Sequence, residues 1–131
     1  MKGNAVIGKL DLKNDSVPGS AFEHLDMTGS QFANINLSNA RFHDINFSDV
    51  LFTAVQIGGA VFRHIGPPPG KNGRQERQRS VLFEEALLND STFRKVDMSN
   101  VQIIDCNIEG MRIDGILVAD MLAAYREERD T

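Results

Sequence analysis

The sequence is poor in the residues that most often form cross-links or anchor a globular core. Its 131 residues include one cysteine (Cys106), one tyrosine and no tryptophan. A single cysteine excludes an intramolecular disulfide, which favours a reducing compartment. No stretch approaches the roughly 20 apolar residues that a membrane-spanning helix needs, and residues 1–9 lack the apolar run of a signal peptide. We therefore expect a cytoplasmic protein that does not contact membranes.

The sequence also lacks the short motifs of common enzyme classes. It contains no phosphate-binding loop, no Cys-x-x-Cys, no His-Glu-x-x-His and no Gly-x-Ser-x-Gly. Its 14 basic and 18 acidic residues give a net charge of −4, which disfavours nonspecific binding of nucleic acid. The sequence thus predicts a protein that is not an enzyme, holds no cofactor and does not bind nucleic acid directly.

What the sequence does contain is a strict period of five residues. Every fifth position from 22 to 62 is apolar, and a second series of small or apolar residues lies two positions earlier. The first series is Phe22, Met27, Phe32, Leu37, Phe42, Phe47, Phe52, Ile57 and Phe62. A helix would show a period of 3.6 and a strand a period of 2. A fixed period of five therefore indicates a repeat architecture.

The segments around this series resemble a known consensus. Residues 38–42 read Ser-Asn-Ala-Arg-Phe, and residues 44–47 read Asp-Ile-Asn-Phe. These segments, like 34–37 and 96–98, are similar to the Ala-(Asp/Asn)-Leu-X-X consensus of the pentapeptide-repeat family. The resemblance covers about residues 20–65 and 81–115. It implies an all-β solenoid, a right-handed quadrilateral β-helix with four pentads per coil, in which the central residue and the residue two before it point inward.

Side-chain size repeats at every fourth pentad, as four pentads per coil would require. One face pairs a small residue with a phenylalanine (Ser20/Phe22, Ala40/Phe42, Ala60/Phe62), and another pairs two aliphatic residues (Ile35/Leu37, Val55/Ile57). Interiors pack at near-crystalline density, so a large inward residue needs a small one beside it. The sequence therefore predicts nearly five coils, with residues 1–19 as a degenerate first coil and N-terminal cap.

The array breaks at residues 66–80, which we call the basic loop. Continuing the period would place Arg77 inside a coil, where an unpaired charge is prohibitively costly. We expect this segment to leave the coil, with Pro67–Pro69 in polyproline II and the rest mobile. The loop carries +3 from Lys71, Arg74, Arg77 and Arg79 against Glu76, which leaves −4 − 3 = −7 for the rest of the chain.

After the basic loop the period resumes in a new phase and ends in an amphipathic stretch. The new series runs from Phe83 to Ile113, with Cys106 at a second-series position that we expect to be buried. Within residues 116–129, the positions i, i+3, i+4 and i+7 of one helix face are Val118, Met121, Leu122 and Tyr125. We predict a helix that covers the C-terminal coil, whose strand edges would otherwise invite another chain. The resemblance also implies a homodimer through this end.

Stacking of every fourth pentad would bring His24, Asp44 and His64 into one outward column. These residue types bind metals and serve in acid–base catalysis. The alternative is simple charge pairing across strands, since like charges there destabilise. A flat outer wall also lacks the concavity of most active sites. We favour charge pairing, with a metal-binding or catalytic face as the alternative.

The resemblance sets the functional expectation, which is a non-enzymatic scaffold whose outer walls bind a protein partner. The quinolone-resistance pentapeptide proteins are acidic rods that imitate duplex DNA and bind type II topoisomerases. This chain is similar in its acidic repeats, its loop and its terminal helix, but it is shorter and its loop is basic. DNA gyrase or topoisomerase is thus a candidate partner. A purely structural module is a further alternative.

The surfaces expected to contact such a partner are the basic loop and an acidic wall. The loop would contribute Lys71, Arg74, Arg77 and Arg79. We define the acidic wall by the carboxylates of Asp44, Asp49, Glu84, Glu85 and Asp90. No aromatic residue lies between Gly66 and Leu82 on which a base could stack. The absence weakens single-strand binding, and the loop's cations could contact nucleic acid or an acidic protein surface. The alternative is a solvated insertion with no partner.

Overall fold

The computed structural model describes residues 8–130 of the chain. Its contacts divide into two units, Met1–Ala60 and Val61–Thr131. The predicted N-terminal cap therefore lies partly outside the described residues. The regular elements of the described chain are a β1 strand at Arg112–Ile113, a β2 strand at Ile116–Leu117 and an α1 helix at Val118–Asp130. No helix within residues 8–130 has the length and apolar character needed to cross a membrane.

The first unit bends at one left-handed corner in every five residues. Each corner lies two positions after a central apolar residue and has a φ between 53° and 79°. The corner residues are Asn14, Gly19, His24, Gly29, Asn34, Asn39, Asp44, Asp49, Ala54 and Gly59. This conformation costs most L-residues about 1–2 kcal/mol, whereas Gly, Asn and Asp tolerate it. The period of five in the sequence is thus also a period of five in the backbone.

The second unit shows the same corners after the basic loop. A positive φ recurs at Glu85, Asp90, Lys95, Asn100, Asp105 and Gly110, between 51° and 75°. Each again lies two positions after a central residue, now counted from Phe83. The local conformation of the repeat therefore resumes in the shifted phase.

Pentads alternate between two kinds. In every second pentad the backbone N–H three residues after the central residue donates to the central C=O, and we call this a bonded turn. The accepting carbonyls are those of Met27, Leu37, Phe47, Ile57, Leu88, Met98 and Ile108, at 2.9–3.3 Å. In the first unit these central side chains are 39–48% exposed, whereas those of the intervening pentads at 22, 32, 42 and 52 are 55–64% exposed. The full local repeat is therefore two pentads long.

The described residues do not show stacked coils. None of them is buried, and close approaches between residues more than a dozen positions apart are almost absent. The rings of Phe42, Phe47 and Phe52 meet edge to face at 5.7 Å between centroids, so the neighbouring rings belong to successive pentads and not to every fourth one. The predicted β-helix is not confirmed by this structure. The expectation that Cys106 is buried is wrong, because its thiol is exposed.

The tightest packing lies at the C-terminal end of the second unit. Asp114 and Gly115 have φ values of 49° and 82° and turn β1 back onto β2, as Asp-Gly does in two-residue hairpins. The N–H of Val118 then donates to the carbonyl of Met111 at 3.0 Å and ties the start of α1 to the hairpin. The half-buried apolar residues gathered here are Ile108, Met111, Leu117, Val118 and Met121. The predicted helix over 116–129 in fact begins two residues later, because Ile116 and Leu117 form β2.

The corner geometry predicts opposite effects for two alanine-to-glycine substitutions. Ala54 occupies a corner with φ 53°, where its Cβ is strained. Ala54→Gly should raise the free energy of unfolding by about 1 kcal/mol. Ala33 is not among the positive-φ residues, so Ala33→Gly should lower it by about 0.5–1 kcal/mol through added backbone entropy. Urea unfolding of the two variants measures both effects, and a stability loss in both would contradict the corner assignment at Ala54.

Candidate interaction surface

The basic loop contains a hydrogen-bonded turn, where the sequence led us to expect a mobile segment. The N–H of Gly70 donates to the carbonyl of Arg74 at 2.8 Å, and the N–H of Gly73 donates to the carbonyl of Gly70 at 2.9 Å. The Oδ1 atom of Asn72 accepts the N–H of Arg74 at 3.1 Å. We call residues 70–74 the loop tip. Its backbone is held in one turn by three short hydrogen bonds.

One side chain closes the loop below its tip. The Nε2 group of Gln75 donates to the carbonyl of Pro67 at 2.9 Å and to the carbonyl of Glu76 at 3.0 Å. The first bond spans eight residues and joins the outgoing arm of the loop to the returning arm. A Cβ on Gly70 would overlap the carboxylate of Glu76, so the returning arm also lies close to the tip.

The four cations of the basic loop, which the sequence treats alike, fall into two pairs. At the tip, the side chains of Lys71 and Arg74 have no hydrogen-bond or ion-pair partner among residues 8–130. On the returning arm, the guanidinium of Arg77 lies near enough to Asp97 to help lower the pKa of that carboxyl. Arg79 also has an interaction partner. Lys71 and Arg74 are thus the two cations exposed on the hydrogen-bonded tip.

The acidic wall divides between the two units. Asp44 and Asp49 lie in the first unit, and Glu84, Glu85 and Asp90 lie in the second. All but Glu84 occupy left-handed corners. The carboxylate of Asp90 accepts a hydrogen bond from the Nδ2 group of Asn89 at 3.1 Å, and Asp49 also has an interaction partner. Corner geometry alone favours Asp at such positions, so the backbone explains part of this acidic series.

The left-handed corner geometry also explains the residue types in the outward column suggested as a metal site. His24, Asp44 and His64 are all corner residues, with φ values of 54°, 55° and 57°. Asp and His, together with Asn, are enriched several-fold in this conformation. Within residues 8–130 no group of three or more His, Cys, Asp or Glu side chains could hold a metal ion. The backbone thus accounts for the residue types, and metal binding stays an untested hypothesis.

A side-chain hydrogen bond that the apolar series does not reveal recurs in the bonded-turn pentads. An Asp or Asn just before the central residue accepts the N–H of the residue two positions later, as in an Asx-turn. The pairs are Asp26–Thr28, Asn36–Ser38, Asn46–Ser48, Asp97–Ser99 and Asn107–Glu109, at 2.9–3.0 Å. The sequence signal in the first unit is an Asx–apolar–Ser/Thr triplet, which occurs in the three bonded-turn pentads centred on Met27, Leu37 and Phe47.

Two of these aspartates titrate below their usual range. The hydroxyl and the N–H of Thr28 both donate to Asp26 and lower the pKa of its carboxyl from the ordinary value of 3.8. Ser99 does the same for the pKa of Asp97, with a smaller contribution from the nearby charge of Arg77. The ionised form is the one that accepts these bonds. The turns are therefore strongest when both carboxyls are deprotonated.

The open space around residues 8–50 differs in size from a small-ligand pocket. Residues 8–50 surround one open space of about 3670 Å³, and nearly every one of them lines it. Sites for small molecules usually occupy about 300–1,000 Å³ and bury most of the ligand. This space is thus unsuited to a small substrate.

The predicted stripe of α1 is only half covered. Val118 and Met121 are half-buried, whereas Leu122 is 38% exposed and Tyr125 is 58% exposed. The guanidinium of Arg129 lies 5.7 Å from the centre of the Tyr125 ring and donates to its hydroxyl at 3.3 Å. The first turn of α1 thus packs against the hairpin, and the dimer predicted through this end stays a prediction.

Comparison with known families identifies the repeat. The model of the family described as pentapeptide repeats matches residues 19–64, with eight copies. Residues 19–64 are thus pentapeptide repeats. The match covers about a third of the chain and ends where the basic loop begins. Searches of curated proteins and of solved structures gave no match. The family supports, in general terms, a non-enzymatic repeat scaffold.

The lowered pKa of Asp26 predicts how its turn responds to acid. A carboxyl whose pKa is lower in the folded state stabilises that state fully above the unfolded value of 3.8. The stabilisation is lost as the pH falls through the lower folded pKa. In Asp26→Asn the amide oxygen accepts the same bonds without titrating, as Asn36 and Asn46 do. The Thr28 amide resonance should therefore shift below about pH 3.8 in the parent protein and not in the variant; equal shifts in both would contradict the assignment.

Proposed function

We propose that this protein is a non-enzymatic interaction scaffold of the pentapeptide-repeat type whose pentads stack into a right-handed quadrilateral β-helix of nearly five coils. The observation that carries the proposal is the left-handed corner in every pentad on both sides of the basic loop. Four such corners, one in each of four successive pentads, return the chain to its starting direction. The alternation of bonded turns then places pentads of the same kind on opposite faces of one coil.

The exposure of the central side chains supports stacking energetically. Those of the first unit remain 39–64% exposed, and fully burying one Phe or Leu side chain contributes about 1.5–3 kcal/mol. One repeat cannot bury its apolar face alone, and contact with neighbouring repeats is what completes the core.

The outer surface supports binding of a macromolecular partner. It carries an acidic series at regularly spaced corners and one ordered basic loop. Regularly spaced carboxylates are able to imitate the phosphates of duplex DNA, which makes DNA gyrase or another type II topoisomerase the specific partner that we propose. The half-covered stripe of α1, with Leu122 and Tyr125 exposed, would serve a homodimer through the C-terminal end.

Stacking predicts which spin labels approach each other. In a Cys106→Ser background, labels at positions 33 and 53 would lie on adjacent coils, about 4.8 Å apart at the backbone. Labels at positions 33 and 43 are separated by two pentads and would lie on opposite faces of a coil. Continuous-wave spectra should be strongly broadened for the 33/53 pair and not for the 33/43 pair. Sharp spectra for the 33/53 pair in folded protein would rule out four pentads per coil.

The topoisomerase proposal predicts inhibition of DNA supercoiling by purified protein at micromolar concentration. Reversal of the acidic wall in Asp44→Lys/Asp90→Lys should abolish the inhibition, because the altered wall no longer resembles a polyanion. Asp105→Lys, at a corner outside the acidic wall, is the control and should leave the inhibition in place. Supercoiling that proceeds normally with micromolar parent protein would remove gyrase as the partner.

A further inference from the structure

The basic loop departs from the rest of the chain in both charge and construction. It carries +3 on a protein that is −7 elsewhere. It is also the part of the described chain where a side chain bridges backbone positions eight residues apart, through the bond from Gln75 to Pro67. Neither feature is needed for a coil, because a plain surface loop can leave and rejoin a repeat array at little cost. The construction of the loop therefore calls for a separate explanation.

The bonds of the loop hold its tip in a single conformation. Two backbone hydrogen bonds and the Asn72 side chain shape residues 70–74, and Gln75 fixes the two arms beneath them. A loop whose backbone is ordered before binding avoids part of the ordering cost of association. This is the property expected of a recognition element.

The division of the four cations indicates which of them recognise a partner. Arg79 has an interaction partner within the protein, and Arg77 lies outside the hydrogen-bonded tip at residues 70–74. Lys71 and Arg74 lie within the bonded turn of the tip, with no ionic partner among residues 8–130. An ammonium and a planar guanidinium so placed suit a pair of carboxylates, since guanidinium binds carboxylate through two parallel hydrogen bonds.

We infer that Lys71 and Arg74 form a preorganised binding site for an acidic surface of a partner protein, with Gln75 as a positioning residue that holds the tip. The inference rests on the scaffold function proposed above and assigns one contact of that scaffold. Arg77 and Arg79 act at the base of the loop and do not touch the partner.

A protein carboxylate surface fits this site better than a nucleic-acid backbone does. Binding to duplex DNA usually draws on about six to ten phosphate contacts from lysine and arginine, and the tip offers two cations. The −7 charge of the remaining chain repels a long polyanion. The loop also lacks an aromatic residue on which a base could stack. A compact acidic patch on a protein meets the two cations without these penalties.

The test compares variants that lose equal charge at different places. The ¹⁵N-labelled full chain is titrated at low salt with a glutamate-rich peptide and, separately, with duplex DNA. The peptide should shift the amide resonances of residues 70–74. Lys71→Gln/Arg74→Gln should weaken peptide binding by about tenfold, as expected for the loss of two exposed charge contacts. Gln75→Ala should weaken it by about threefold while leaving both cations in place.

Two control variants also remove two positive charges. Arg77→Gln/Arg79→Gln acts at the base of the loop, and Arg94→Gln/Lys95→Gln acts outside it, which keeps the comparison valid if the first control unfolds. Both should bind the peptide within about twofold of the parent protein, since they leave the tip intact. Equal weakening by tip and control variants would show that only net charge matters and overturn the proposal. Tighter binding of duplex DNA than of peptide would overturn the assignment to a protein partner.

The peptide titration and the gyrase assay test the loop tip and the topoisomerase partner separately. Peptide shifts confined to residues 70–74 together with normal gyrase supercoiling would reject the topoisomerase partner and keep the tip as a binding site. Inhibition of gyrase that persists in Lys71→Gln/Arg74→Gln would keep the topoisomerase partner and reject the tip as its contact.

Discussion

The structure of this protein depends on a backbone that enters the left-handed region once in every five residues. That conformation is costly for most L-residues, so it selects Gly, Asn and Asp at the corners. Most corner positions from Asn14 to Gly110 carry one of these three residues. A single recurring backbone angle thus accounts for both the residue types at the corners and the period of the chain.

Much of the surface chemistry follows from this constraint and needs no appeal to a bound ligand. Histidine and aspartate at positions 24, 44 and 64 first suggest a metal site, yet each occupies a corner where such residues are favoured. Most of the acidic wall has the same origin. The basic loop does not, because its cations lie outside the repeat and its shape is set by its own hydrogen bonds. This contrast is why the loop tip carries the more specific functional inference.

The period, the phase shift after the basic loop and the presence of a terminal helix could be predicted because each leaves a local pattern in the sequence. The hairpin before α1 was missed because Ile113 fits the five-residue series, which concealed the Asp114–Gly115 turn beside it. The order within the loop could not be read from composition, since it depends on a bond from Gln75 to a residue eight positions away. The Asx-turns leave a signal in the sequence, the Asx–apolar–Ser/Thr triplet. It was overlooked because it occurs in only some pentads, whereas the apolar series marks every one. Stacking between coils is a non-local property, and neither the apolar series nor the described contacts establish it.

Because bonded turns occur in alternate pentads, the order of the two kinds of pentad depends on how many pentads separate two points of the chain. The last bonded turn before the basic loop starts at Ile57 and the first one after it at Leu88, which is six pentads and one further position along the chain. Residues 65–80 have the length of three pentads and one further residue. The pentads on either side of them, centred on Phe62 and Phe83, both lack the bonded turn, so the alternation is kept along the chain when this segment is counted as three pentads. Deleting one pentad would bring two pentads of the same kind together and interrupt the alternation. Deleting two neighbouring pentads would preserve it. Insertions and deletions in this protein thus preserve the alternation of bonded turns only when they add or remove pentads in pairs.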